Sequence, residues 1–124
     1  MKIAIVKLSA LGDIIHAMVV LQFIKKNNPE IEIDWVVEES YKDLIQFNPH
    51  INKIHIVNIK KAKKKKSIFI LYKELKKTKN FGHYDLVIDM QGLIKSAVIS
   101  YLIPSSKTLG FDKSSIRESI ASYF

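Results

Sequence analysis

The sequence predicts an α/β fold, a Rossmann-like three-layer domain with a mostly parallel sheet. Three observations predict it. Short β-branched, apolar runs alternate along the chain with longer segments of helical period. A strand, a helix and a second strand follow one another between residues 2 and 37, a βαβ unit for which parallel pairing is the default. The 124 residues, 48% of them hydrophobic, suffice for one domain with its own core and leave no room for a second.

The elements follow in order. Residues 2–7 (KIAIVK) are β-branched and apolar, as a buried strand requires. Residues 8–12 (LSALG) form a short loop, and Asp13 opens a helical run as its N-cap or a first-turn acid, with Ile14, Met18, Leu21 and Ile24 or Lys25 at helical spacing. Lys25 and Lys26, then Asn27, Asn28 and Pro29, stop that helix. Residues 31–37 form the second strand, with Trp35 in the core, and short helical material follows over 40–46. Residues 53–57 alternate as a third strand. Beyond the lysine run, residues 67–79 read as a helix with Phe69, Leu71 or Tyr72, and Leu75 inward and lysines outward. Residues 84–90 form a strand, Gln91 and Gly92 the turn after it, and residues 93–103 a helix ended by Pro104. A short strand lies within 107–110, and a last helix begins over 114–124. Phe124 stands in that helical run without a capping residue, so the expectation is a truncated domain.

Composition narrows the chemistry. With no cysteine there is no disulfide scaffold, thiol nucleophile or thiolate metal site, and four scattered histidines lack metal-ligand spacing. No apolar run approaches the roughly 18 residues of a membrane span, and the N-terminus reads as a strand and not as a signal peptide. A cytoplasmic protein is the expectation. The formal charge of +8 is local: residues 60–79 hold ten lysines and one acid, and the remainder is close to neutral. Arg117 is the one arginine, whereas a nucleic-acid reader more often uses several for bidentate base contacts. A polyphosphorylated partner, an anionic membrane or RNA each fits the run at residues 60–66.

In an open parallel sheet ligands gather at the carboxyl ends of the strands. Two loops fall there, KLSALGD after the first strand and DMQGLIKS after the strand at 84–90, and neither is a dinucleotide or P-loop fingerprint. Asp13 reads either as a helix cap or as a general base at the lip of a cleft. Ser9, Gly12 and nearby backbone N–H groups read as turn chemistry or as a cradle for phosphate oxygens. His16, one turn beyond Asp13, reads as a buried or capping histidine. Glu38 and Glu39 lie at the same edge, where helix-start charge explains them equally well.

The segments KLSALGDIIHAMVVLQFIKKNNPEIEIDWVVEE, YDLVIDMQGLIKSAVIS and GFDKSSIRESIASYF resemble the N-terminal part of the ADP-heptose:LPS heptosyltransferase family, glycosyltransferase family 9. The resemblance implies the N-terminal half of a GT-B enzyme, with residues 1–124 as the acceptor-side Rossmann-like domain and a C-terminal donor-binding domain absent, so that the fragment alone is inactive. It implies inverting transfer of L-glycero-D-manno-heptose from ADP-heptose to the inner Kdo of Kdo2-lipid A, in the cytoplasm and peripheral to the inner membrane. ADP-heptose is then a substrate, with no cofactor, no metal and no nucleic acid. By the same resemblance Asp13 is the catalytic base, Ser9 and Gly12 lie by the donor, and Lys60, Lys61, Lys63, Lys64 and Arg117 bind the anionic acceptor. The alternatives are a family member acting on an already heptosylated core, or a nonenzymatic RNA- or membrane-binding α/β domain.

Overall fold

The structure, a computed structural model, describes residues 1–9 and 11–110. Five strands, β1 (Lys2–Val6), β2 (Glu32–Glu38), β3 (Lys53–Val57), β4 (Leu86–Asp89) and β5 (Thr108–Leu109), form one sheet in the order β3-β2-β1-β4-β5. Every pairing is parallel. Alternation along each strand sends side chains to two separate cores. Ile3 and Ile5 of β1 join Ile33, Trp35 and Val37 of β2 and Leu86 and Ile88 of β4 on one face. Ala4 and Val6 join Val36, Val57 and Val87 on the other.

Helix α1 (Leu11–Asn27) covers the first face with Ile14, Ala17, Leu21 and Ile24, and α2 (Lys42–Ile45), after a 3-10 turn at Glu39–Tyr41, adds Ile45. The second face takes α3 (Ile59–Lys64), α4 (Ile68–Lys77) and α5 (Ile94–Leu102) through Ile59, Leu71, Leu75 and Ile99. With 25 cal/mol per Å² of apolar area as the rough scale, these two cores supply the main driving force for folding.

The structure refines the local reading at three places. Leu11 and Gly12, expected in the loop at 8–12, are already helical, so of the two readings of Asp13 the first-turn acid holds. The lysine run at 60–66, to which the sequence assigned no element, holds most of α3, which forms because Ile59 and Ala62 are three apart and both bury, leaving Lys60, Lys61, Lys63 and Lys64 on the exposed side. On α4 the inward positions are Leu71 and Leu75, whereas Phe69 and Tyr72 point to solvent. Phe69 lies on the side of the helix away from Leu71, Tyr72 flanks the inward face, and the second core is filled by Leu71, Leu75 and Phe81. The helix expected over 114–124 lies outside the described residues.

On the second face Asp34 is a fully buried carboxylate. Its Oδ1 accepts from Asn52 Nδ2 at 3.2 Å and Lys53 N at 3.1 Å, and its Oδ2 accepts from the Tyr84 hydroxyl at 2.5 Å, with His55 Nε2 3.6 Å away. Burial pushes the Asp34 carboxyl up, but the hydrogen bonds from His55, Tyr84 and Asn52 more than reverse this and hold it below its ordinary value. The Tyr84 hydroxyl is correspondingly pushed up, by burial first and then by Asp34. This cluster staples β2, β3 and the approach to β4.

Candidate active site

The strand order reverses direction at β1: the chain moves from β1 outward to β2 and β3, then returns to β4 on the other side. The carboxyl ends of β1 and β4 therefore border the switch point where open α/β sheets bind ligands. Both expected loops meet there. The end of β1 is fixed from both sides, because Glu38 N donates to Leu8 O at 3.0 Å and Met90 N to Val6 O at 3.0 Å. Trp35 Nε1 donates to Lys7 O at 3.0 Å from within the first core.

Gln91 joins the two loops. Its Oε1 accepts from Leu8 N at 3.1 Å and Ser9 N at 3.3 Å, and its Nε2 donates to Ser9 Oγ at 3.1 Å. The turn that carries Gln91 is set by buried Asp89, whose Oδ1 accepts from Gln91 N at 3.0 Å and Gly92 N at 3.2 Å. Gly92 has φ 72°, the left-handed conformation a glycine adopts without strain. The Ser96 hydroxyl lies 3.2 Å from Asp89 Oδ2 and ties the turn to α5. The Leu8 and Ser9 backbone N–H groups thus bind the Gln91 carboxamide and are not open to a phosphate.

Asp13 stands at the rim, its side chain 66% exposed, with Lys7 Nζ 3.5 Å from its Oδ2. The Lys7 side chain is only 6% exposed, so a largely buried ammonium reaches out to an accessible carboxylate. His16, expected to be buried or capping, is exposed. It sits on the solvent side of α1, whose core face is taken by Ile14, Ala17, Leu21 and Ile24. Gly12 is exposed, and a Cβ built on it would meet no atom within 4 Å. Helical glycine costs about 1 kcal/mol against alanine, and no contact within the described chain explains that cost.

The cationic side of the site begins at β2. Glu38 is buried, and its Oε1 accepts from Ile59 N at 3.1 Å and Lys60 N at 3.2 Å, capping the first turn of α3. Burial raises the Glu38 carboxyl; the bonds from Lys60 and Ile59 N–H and the charges of Lys95 and Lys60 offset this only in part. Glu39 is exposed and accepts from Asn58 Nδ2 at 2.6 Å. Lys60 Nζ lies 4.4 Å over the Tyr41 ring. Lys61 lines a cleft of about 410 Å³ with Glu39, Asn58, Lys73, Glu74 and Lys77. Lys63 and Lys64 are exposed, and Arg117 lies outside the described residues.

Lys7, Gln91, Asp89 and Glu38 carry this geometry; sequence reasoning placed Glu38 at this edge with helix-start charge as an equal explanation, which its capping of α3 matches, and assigned no individual role to the other three. Lys7 had a legible signal, a charge at the end of an otherwise apolar strand. The bridging role of Gln91 had none, because its partners lie 82 and 83 positions away.

An all-parallel open sheet whose order reverses at β1 is a Rossmann-like architecture. Residues 68–124 match the model of glycosyltransferase family 9 (heptosyltransferase). The chain is 47% identical over 124 residues to lipopolysaccharide heptosyltransferase 1 of Campylobacter coli, covering 100% of this chain and 34% of that protein. It is 32% identical over 127 residues to lipopolysaccharide heptosyltransferase 1 of Escherichia coli K12, covering 40% of it. The solved structure of E. coli heptosyltransferase WaaC with ADP-2-deoxy-2-fluoro heptose superposes with a TM-score of 0.77 at 31% identity, over 99% of this chain and 40% of that one. Along its whole length the chain is similar to heptosyltransferases, and the glycosyltransferase family 9 match lies in residues 68–124. The chain spans 34% and 40% of the length of these two curated relatives.

Proposed function

We propose that the full-length protein transfers L-glycero-D-manno-heptose from ADP-heptose to the inner Kdo of Kdo2-lipid A, and that Asp13 is its catalytic base. The observation that carries this reading is the Asp13 carboxylate, accessible at the switch point and held by Lys7. In the reaction Asp13 takes the proton of an acceptor hydroxyl. That oxygen attacks the anomeric carbon of the heptose, the bond to the ADP oxygen breaks, and the configuration inverts. The chain's domain supplies the base and the acceptor side, and a C-terminal domain of the full-length protein supplies the donor site.

In this reading Ser9 and Gly12 serve the donor side. Gly12 leaves open space at the first turn of α1, where a helix N-terminus favours phosphate. Because the Ser9 N–H is bound to Gln91, Ser9 acts by position or through its hydroxyl. Lys60, Lys61, Lys63 and Lys64, presented by α3, bind the Kdo carboxylates and lipid A phosphates in this reading, as does Arg117; lysine contributes charge there without the arginine fork. An acceptor embedded in lipid places the enzyme peripherally at the cytoplasmic face of the inner membrane.

The test is mass-spectrometric detection of one heptose added to Kdo2-lipid A by full-length protein supplied with ADP-heptose. Asp13→Ala should remove the product while the circular dichroism spectrum is unchanged. Normal turnover by that variant would exclude Asp13 as the base.

A further inference from the structure

Helix α4 has an unusual outer face. Its inner positions Leu71 and Leu75 pack against the second core, yet no residue of the helix is fully buried. On the outside Ile68 is 84% exposed, Phe69 65% and Tyr72 61%. Ile68 and Tyr72 are one turn apart, so the three side chains form one stripe. Lysines border it: Lys73 Nζ lies 4.4 Å over the Phe69 ring and Lys76 Nζ 6.0 Å from the Tyr72 ring centroid, and Lys65 and Lys66 are exposed at the turn before the helix.

Water suits the lysines but not the apolar stripe, and a buried protein interface suits the stripe but not the lysines. Residues 60–79 hold ten lysines and one acid, Glu74. That acid turns inward, accepting from Asn58 N and from Lys77 Nζ at 3.2 Å. No carboxylate of the segment neutralises the outer face. A bilayer surface resolves the conflict, because apolar side chains enter the acyl boundary while the ammonium groups remain among headgroup phosphates. Aromatic rings favour that interfacial depth, and each lysine near an anionic surface adds on the order of 1 kcal/mol. Among the described residues no helix is long and apolar enough to cross a membrane, so this contact is a shallow one.

We propose that the outer face of α4, Ile68, Phe69 and Tyr72 ringed by Lys65, Lys66, Lys73 and Lys76, is a docking surface that inserts shallowly into bilayers rich in anionic lipid. It rests on the proposed function in that a lipid-borne acceptor gives the docking its purpose.

The experiment uses full-length protein and vesicles of phosphatidylglycerol and phosphatidylethanolamine, with phosphatidylcholine vesicles as the neutral control. Phe69→Trp should shift its emission to the blue and be quenched by brominated acyl chains on the anionic vesicles only; Trp35 is buried and supplies a constant background. The triple variant Ile68→Ser, Phe69→Ser, Tyr72→Ser should partition at least about tenfold more weakly in co-sedimentation, with unchanged circular dichroism. Unaltered partition of the folded triple variant would overturn the proposal, as would vesicle binding that leaves Phe69→Trp emission unmoved. No vesicle binding together with tight, salt-sensitive binding to polyuridylate would also overturn it and favour RNA. Transfer to a water-soluble, deacylated acceptor separates this surface from the reaction. The triple variant should retain that transfer and lose transfer to vesicle-embedded acceptor. A wild-type protein that inserts but transfers to neither acceptor would count against the reaction and leave the docking surface standing.

Discussion

Lys7 and Asp13 form a pair whose two ends have unequal access to water, 6% and 66% side-chain exposure. A largely buried ammonium is costly to desolvate, and the Coulombic return from a partner this exposed is small. Lys7→Met in the full-length protein should therefore change stability by no more than about 1 kcal/mol in urea unfolding. Turnover should fall about 10- to 100-fold, because Asp13 loses the group that orients it. Asp34 gives a second prediction. Its carboxyl titrates below the ordinary 3.8, so the unfolded chain takes up the proton first as pH falls. Its stabilisation is complete above that ordinary value and is lost as pH drops through the folded value. Urea unfolding should show Asp34→Asn destabilised by about 2–3 kcal/mol at neutral pH, with the gap to wild type closing below about pH 4.

At the scale of elements, α3 depends on a residue outside itself. The Glu38 carboxylate binds the first two N–H groups of the helix, so Glu38→Ala should cost about 1–2 kcal/mol. Hydrogen exchange should be accelerated at the Lys60–Lys64 amides in that variant. Glu38→Gln keeps an acceptor and removes the buried charge. Because the folded Glu38 carboxyl is raised above its ordinary 4.5, its contribution is full below that value and is lost as pH rises through the folded one. The glutamine variant should match wild type in acid and gain on it near neutrality, by urea midpoint. The strands β1 to β4 were legible because β-branched apolar runs have one low-energy use in a small domain. Helix α3 was not: six of its neighbouring residues are lysines, and Ile59 and Ala62 become a buried pair only when a sheet face is there to receive them. On α4 hydrophobicity alone puts Phe69 inward, although a residue two positions from Leu71 falls on the other side of the helix.

For the whole molecule, α1 is apolar almost all round. Ile14, Ala17, Leu21 and Ile24 are buried, while Leu11, Ile15, Val19 and Phe23 are 48–60% exposed in a stripe four residues apart. Val19→Lys should raise the solubility of the 124-residue chain, measured by ammonium sulfate precipitation, at a stability cost within about 0.5 kcal/mol. With Asp13 on this domain and the donor site proposed on another, the chain alone should give no heptose transfer in the mass-spectrometric assay, and transfer by it would overturn that division.

The sequence by itself determined the α/β class, the parallel βαβ start, the two loops at the carboxyl edge, the local polycation and the family motifs. All of these are written in short-range patterns of hydrophobicity, turn residues and charge. The tertiary structure decided the strand order with its switch at β1, the closure of that switch by Gln91, the reach of Lys7 to Asp13, the capping of α3 by Glu38 and the exposure of the α4 aromatics. Each depends on which residues distant in the chain become neighbours, and that is settled by packing of the whole sheet against its helices and not by any local segment.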